Sequence, residues 1–348
     1  MNAIAPGVTM VIACYNHAPY VAQALASAFA QDHPALTVLV TDDASTDDTQ
    51  DVVSRVLAEN GWEAETLFHT VNIGVCRTFN EVLARIDTPY VCFPAGDDWS
   101  MPHRISTQVA ALEAAGPNAA LAYCDAIEVD ESGEPIGRRF SQVVPKAWSR
   151  RNRDDLYPAL LRGNWIPAIS VLARADHLRE VGGFDPSLAF EDYDMWLRLA
   201  AAGYSFVSTP EPLVYLRRHG DNLMKHLRAD KGARLLENRL AIYAKQIGVD
   251  PNCDPYIRDK TFSYIDRAYL GGLEPKRVAP MYAEHGRQWD WAPSRRLARL
   301  AGLGVPPGIV RAGRSATQPL GRLGRRWRKL AQRVVRGVRR RNGQKANP

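Results

Sequence analysis

Nowhere do the 348 residues approach the roughly 18 consecutive apolar positions that a membrane-spanning helix needs. The opening stretch, MNAIAPGVTMVIACYN, has no basic start, long apolar centre or small-residue cleavage site, so no signal peptide is expected and a cytoplasmic location follows. Cysteine is scarce. Cys14, Cys76, Cys92, Cys124 and Cys253 are odd in number, form no CxxC pair and stand at no metal-type spacing to histidine, so reduced thiols are expected. No internal repeat is present, and no basic glycine-rich phosphate loop occurs early in the chain. Acids are missing from Arg322 to Lys345, which holds 11 Lys or Arg and leaves 33 basic against 38 acidic residues elsewhere. The net charge of +6 thus belongs to a tail, and nothing in the body of the chain argues for nucleic-acid binding.

What is present is an alternation of short β-type runs with helical patterns, the mark of βαβ units and a mainly parallel sheet. Val8 to Ala13 is a continuous apolar run suited to a strand buried on both faces. Pro19 opens a helix whose Val21, Leu25, Ala28 and Phe29 share a face, and Leu36 to Val40 is a second strand. Val52, Val53, Val56 and Leu57 line a helix that stops near Gly61, Thr66 to His69 makes a third strand, and Phe79, Val82, Leu83 and Ile86 line the next helix. Tyr90 to Phe93 is a fourth strand running into Gly96-Asp97-Asp98. Shorter strands and a turn at Asp130 to Gly133 follow from about residue 120. The expected organisation is an α/β domain over 1–225, divided into halves 1–115 and 116–225, then a helical extension over 226–312 and a basic tail over 313–348.

Ligands of open α/β sheets bind beyond the carboxyl ends of the strands, and three strand ends here deliver polar clusters: Tyr15-Asn16, Asp42-Asp43 and Asp97-Asp98. Ser45, Thr46 and Asp47 are explained as caps of the following helix, but two adjacent acids are more than a cap requires. Asp97-Asp98 is the sharper signal. Two carboxylates behind a buried strand repel each other unless a cation or hydrogen-bond donors join them, and Mg2+ or Mn2+ is the natural guest. Glu191-Asp192 stands in the first turn of a helix, whose dipole would favour ionised carboxylates. Arg217 and Arg218 are placed either to meet a diphosphate or to form a surface pair.

Six ordered motifs carry a resemblance: Val-Ile-Ala-Cys-Tyr-Asn (11–16), Val-Thr-Asp-Asp-Ala-Ser-Thr-Asp-Asp-Thr (40–49), Asn72-Ile-Gly74, Gly96-Asp-Asp-Trp99, Val181-Gly-Gly-Phe-Asp185 and Phe190-Glu-Asp-Tyr-Asp-Met-Trp-Leu197. Together, over residues 8–220, they resemble the family 2 glycosyltransferases of the GT-A fold. The resemblance implies an enzyme that moves one sugar from a nucleotide-sugar donor, UDP- or dTDP-type rather than GDP-type, to a glycan or lipid-linked acceptor in cell-surface glycan synthesis. It implies inverting displacement with Asp192 as base and Mn2+ or Mg2+ as cofactor. Ala13, Tyr15, Asn16, Asp43, Asn72, Gly74 and Asp97 would hold the nucleotide, Asp98 and His219 the metal, and Glu191 and Trp165 the acceptor side. Many members carry a further acid shortly before the Asp-Asp pair, where this chain has Pro94 and Ala95, which implies fewer protein ligands to the metal. A Gln-x-x-Arg-Trp pattern is absent, against a processive synthase. The rival readings are a catalytically inactive nucleotide-sugar-binding module and a nucleotidyltransferase, the latter disfavoured by the missing phosphate loop.

Within the tail, Trp327, Leu330, Ala331, Val334, Val335 and Val338 fall at helical spacing among cations. Such a stripe reads as an amphipathic helix drawn to anionic lipid on the inner face of a membrane, the alternative being a disordered, solubilising tail.

Overall fold

The computed structural model describes residues 5–148, 155–209, 211–220, 232–288, 296–308 and 310. The chain divides into two compact units, Met1–Gly220 and Asp221–Pro348. The first unit opens with β1 (Val8–Cys14), α1 (Val21–Phe29), β2 (Leu36–Asp42), α2 (Thr49–Asn60), β3 (Glu65–Phe68), α3 (Val75–Arg85) and β4 (Tyr90–Cys92). β5 (Trp99–Ser100), α4 (Arg104–Ala115), β6 (Ala119–Tyr123), β7 (Ala126–Val129) and β8 (Pro135–Arg139) follow. Short helices α5 (Phe140–Val143), α6 (Pro145–Trp148) and α7 (Leu156–Leu161) lead to β9 (Leu172–Arg174), α8 (Ala175–Glu180), α9 (Asp192–Ala201), β10 (Ser205–Ser208) and β11 (Val214–Arg217).

Seven strands form the main sheet in the order β10-β6-β9-β4-β1-β2-β3. All its pairings are parallel except those of β9, which runs antiparallel to β4 and β6. β1 sits inside the sheet and its apolar run is buried on both faces, on one of which Met10 and Ile12 pack in one core with Val21, Leu25, Val53 and Leu112. Gly61 ends α2 in the left-handed conformation at φ 62°, which a residue without Cβ adopts freely. A second sheet, β5-β11-β7-β8, stands beside the first. Its β7–β8 turn is built by Asp130, whose Oδ1 accepts the N–H groups of Ser132 and Glu134.

The described residues of the second unit form helices α10 (Ala233–Lys245), α11 (Asp254–Gly271), α12 (Pro275–Gln288) and α13 (Arg296–Gly302). Leu236, Leu240, Phe262, Ile265, Tyr269, Val278 and Tyr282 make its own apolar core. No helix among the described residues is long and apolar enough to cross a membrane. The amphipathic stripe expected beyond Trp327 lies outside the described residues.

Candidate active site

β4, β1 and β2 are neighbours in the main sheet, so their C-terminal ends open side by side. Cys14 pairs with Asp42, Ala13 with Ala95, and the Gly96 N–H donates to the Ala13 carbonyl at 2.8 Å. Tyr15 stands out from this edge, 45% exposed. Asn16 and Ala44 both turn through positive φ, at 56° and 59°. Of the residues expected to cap α2, Asp47 accepts the Thr49 N–H at 3.1 Å, and the same segment also ties the two strand ends together. The Ser45 hydroxyl accepts the Asn16 N–H, the Thr49 hydroxyl accepts the His17 N–H, and Asp47 accepts the Ala18 N–H. In return Asn16 Oδ1 accepts the Thr46 N–H at 2.8 Å. Asp42 is buried and bound by Ser45 and Gln50, so of the doublet only Asp43 is directed toward the 69–74 loop.

Asp43 organises that loop. Its Oδ1 accepts the Ile73 N–H at 2.8 Å and faces His69 Nδ1 at 3.0 Å, while Oδ2 accepts the Gly74 N–H at 2.8 Å. Asn72 donates back to the Asp43 carbonyl at 3.0 Å, and Gly74, at φ 89°, starts α3. A carboxylate offers about four acceptor positions, so one, on Oδ2, remains. Asn72 and Gly74 therefore meet the site through Asp43.

Asp97 and Asp98 are both buried, Asp98 to 4% exposure. Asp97 Oδ2 lies 2.8 Å from His219 Nε2, and its Oδ1 is 3.8 Å from His17 Nε2. Burial pushes the Asp97 carboxyl up, yet the His219 hydrogen bond and the charges of both imidazoles outweigh it and hold it below the usual range. Asp98 goes the other way. Burial and the neighbouring Asp97 charge raise it well above an ordinary carboxylate, against the Arg217 N–H that donates to its Oδ1 at 2.7 Å. No hydrogen bond reaches Asp98 Oδ2 among the described residues. A buried carboxyl group with one oxygen left unbonded suits a cation, so the acids fit a divalent ion. Among the described residues no three His, Cys, Asp or Glu side chains converge on one point, so such an ion would need donor phosphate oxygens to complete its shell.

Arg217 is not available to a diphosphate. Its guanidinium is buried between the Tyr20 and Trp99 rings, 4.7 and 4.8 Å from their centroids, and donates to the carbonyls of Asp97 and Glu131 and to Gln23. Arg218 joins Arg138 in clamping the fully buried Glu128. Both arginines are committed to holding the Asp97-Asp98 loop and the second sheet.

Asp192 begins α9, and Asn164 donates to its Oδ2 at 2.8 Å. Phe79, Phe93, Phe184 and Trp196 line a small cavity of about 20 Å³ whose wall includes Glu191 and Asp192. The helix dipole does not settle the charge state as the sequence implied. Burial, followed by the Asp192 charge, pushes Glu191 up to about 7. Burial also raises Asp192, opposed by the Tyr193 N–H and Asn164. The glycine pair of the 181–185 motif positions this helix. Asn80 bonds both the N–H and the carbonyl of Phe184 at 2.7 Å, and Arg198 of α9 donates to the Val181 and Gly183 carbonyls. Trp165, expected on the acceptor side, lies instead in the core: it is 0% exposed and its indole donates to Tyr123 Oη at 3.0 Å. His17 and His69 escaped the sequence reading because no residue spacing marks them.

The family model for glycosyl transferase family 2 matches residues 9–168, and that for glycosyl transferase family group 2 matches residues 168–229. The chain belongs to glycosyltransferase family 2. The two matches together run through both sheets and the edge just described. An uncharacterized protein of Mycobacterium tuberculosis is 28% identical over 227 residues, 64% of this chain but only 62% of the relative's own length. The amylovoran biosynthesis glycosyltransferase of Erwinia amylovora is 24% identical over 179 residues, 51% of this chain and 59% of that one. Among solved structures, TarS 1–349 of S. aureus in complex with UDP-GlcNAc superposes with a TM-score of 0.60 at 14% identity, covering 88% of this chain and 87% of that chain. A mannosyltransferase from Pyrobaculum calidifontis in complex with GDP-Man and Mn2+ gives 0.54 at 18% identity, covering 99% and 89%. The family 2 chain therefore has the GT-A fold, with its mainly parallel sheet and C-terminal helices.

Proposed function

We propose that this chain transfers a single sugar from a nucleoside-diphosphate sugar to a hydroxyl of a growing cell-surface glycan or lipid-linked oligosaccharide, with inversion at the anomeric carbon. One observation carries the reading: Tyr15, Asp43 and the Asp97-Asp98 pair meet at the ends of three adjacent parallel strands. The likeness to structures holding UDP-GlcNAc and GDP-Man supports a nucleotide-sugar donor, and the amylovoran relative supports a glycan product.

Tyr15 stacks on the base beside Ala13, and Asn16 holds the loop that presents them. Asp43 has room for one more N–H on Oδ2 and none on Oδ1. That matches the single ring N–H of uracil or thymine better than the paired N–H groups of guanine, and favours a UDP- or dTDP-linked donor. A divalent cation, Mn2+ or Mg2+, held through Asp98 with Asp97 and His219 beside it, would supply positive charge to the departing diphosphate. Asp192 takes the acceptor proton as the acceptor oxygen bonds to the anomeric carbon and the bond from that carbon to the diphosphate breaks. Burial makes Asp192 a stronger base than an exposed carboxylate, and Asn164 holds it in place. Glu191, on the same cavity wall, completes the acceptor side. The tail over 313–348 would hold the enzyme at an anionic membrane surface where lipid-linked acceptors lie.

The test is a screen of UDP-, dTDP- and GDP-sugars for Mn2+-dependent diphosphate release, run on three proteins. Wild type should turn over with one donor class. Asp98→Ala should lose metal-dependent binding of the donor nucleotide. Asp192→Asn should bind it normally and transfer about 10²- to 10⁴-fold more slowly, the usual worth of a general base. Transfer by Asp192→Asn within a few-fold of wild type would remove Asp192 as base. A protein that binds nucleotide sugars and releases no diphosphate with any acceptor would be a binding module.

A further inference from the structure

His69 sits at the end of β3 with its side chain 11% exposed and both ring nitrogens occupied. Nδ1 is 3.0 Å from Asp43 Oδ1 and Nε2 is 3.0 Å from Glu81 Oε2 on α3. A neutral imidazole has one N–H, so its other nitrogen would turn a lone pair toward a carboxylate oxygen at hydrogen-bond distance. Only the doubly protonated ring satisfies both contacts, unless an acid carries the proton. Glu81 does not favour carrying it. Slight burial pulls its carboxyl up, but the hydrogen bonds from His69 and Arg85 prevail and hold it below the usual range. Asp43 receives backbone N–H groups on both oxygens, the pattern of an acceptor-only carboxylate.

We propose that His69 is a positioning residue whose imidazolium, clamped between Asp43 and Glu81, aims the Asp43 carboxylate at the nucleobase and makes nucleotide binding depend on pH. The inference rests on the nucleotide reading of Asp43 above. The charged groups around the ring are Asp43 from the end of β2, Glu81 and Arg85 from α3, and Glu65 of β3, which reaches the cluster through Arg85 at 3.7 Å. Gln50, the polar neighbour at the His69 carbonyl, is uncharged. Histidine is the side chain whose charge ordinarily changes between pH 5 and 8. Once the ring is neutral, one of its two carboxylate contacts turns repulsive. Asp43 then loses its side-on support while still bound to Ile73 and Gly74, and the free position on Oδ2 is no longer held in one direction.

The experiment is calorimetric titration of the full chain with UDP, with dTDP and GDP alongside, between about pH 5.5 and about pH 8.5. Wild type, His69→Gln and Glu81→Gln are compared at each pH, because the ratio of affinities cancels titration of the nucleotide's own phosphate. Wild type should bind roughly tenfold more tightly than His69→Gln at the acid end, and the gap should close as pH rises. Glu81→Gln should keep much of the affinity with a flattened profile, since an amide N–H can meet the lone pair of a neutral ring. A constant wild-type-to-His69→Gln ratio across the range overturns the inference and leaves the donor site standing. Failure of wild type to bind any of the three nucleotides overturns the donor site and the inference with it.

Discussion

At the scale of single residues, the site is a set of carboxylates whose surroundings push them apart. Asp97 is drawn down by two imidazoles, while Asp98, next in sequence, is driven up by burial and by its neighbour. Glu191 and Asp192 are a second adjacent pair, and there burial raises both. For Glu191 the consequence has a definite sign. Its folded value of about 7 lies above the ordinary 4.5, so between those values the folded protein binds the extra proton and stability falls as pH rises. Above about pH 7 the ionised, desolvated carboxylate costs on the order of 1 to 3 kcal/mol, allowing for its partial exposure. Glu191→Gln should therefore melt at a higher temperature than wild type at pH 8 and at about the same temperature at pH 4.5. Chemical denaturation at the two pH values measures the difference directly, and equal offsets at both would contradict the burial argument. Ala44, at φ 59°, is a second residue held against its preference. A glycine there removes a steric cost of about 1 to 2 kcal/mol and adds unfolded-state entropy of about 0.5 to 1 kcal/mol.

At the scale of elements, what aims the start of α9 is the loop before it rather than a helix cap, since Glu191 makes no side-chain cap bond. Gly182 and Gly183 both need positive φ, at 91° and 69°, but they differ in what surrounds them. A Cβ on Gly183 would stand 2.6 Å from Asn80 Oδ1, the atom that accepts the Phe184 N–H, whereas nothing lies within 4 Å of one on Gly182. Gly183→Ala should cost about 2 to 4 kcal/mol, combining left-handed strain with disturbed Asn80 and Arg198 bonds, and should slow transfer per folded molecule. Gly182→Ala carries the strain alone, about 1 to 2 kcal/mol, with transfer intact. Urea denaturation beside initial-rate assays separates the two. Equal effects would mean that the Asn80 clamp does not govern α9. The same logic explains Gly96, where a Cβ would lie 2.7 Å from Cys14 Sγ and force the Asp97-Asp98 loop off the end of β1.

At the scale of the whole molecule, charge is divided along the chain: 11 cations between Arg322 and Lys345, and more acids than bases before them. Each Lys or Arg near an anionic surface contributes about 1 kcal/mol at low ionic strength. The full chain should therefore sediment with phosphatidylserine vesicles at low salt and be released as salt screens the contact. A chain ending at Gly321 should stay in the supernatant with its UDP affinity unchanged. Full-length protein that ignores such vesicles at low salt would refute the membrane reading of the tail.

Much of the fold was legible in the sequence because its signals are local. A run such as VTMVIA can be buried on both faces only inside a sheet, and Gly61 can close α2 only where a helix ends, so neither depends on distant residues. The strand-end acids were legible for the same reason: a charge after an apolar run must sit at the rim. What the rim does with each charge was decided by partners far along the chain. His219 meets Asp97 across 122 positions, Arg217 reaches Gln23 across 194, and Asn164 reaches Asp192 across 28. Such pairings made Arg217 an internal brace rather than a diphosphate ligand or a surface cation, withdrew Trp165 into the core, and brought His69 between two acids. Residue type sets which hydrogen bonds and charges a side chain can offer, and only the packing of the elements sets which of them meet and how much water is left between them.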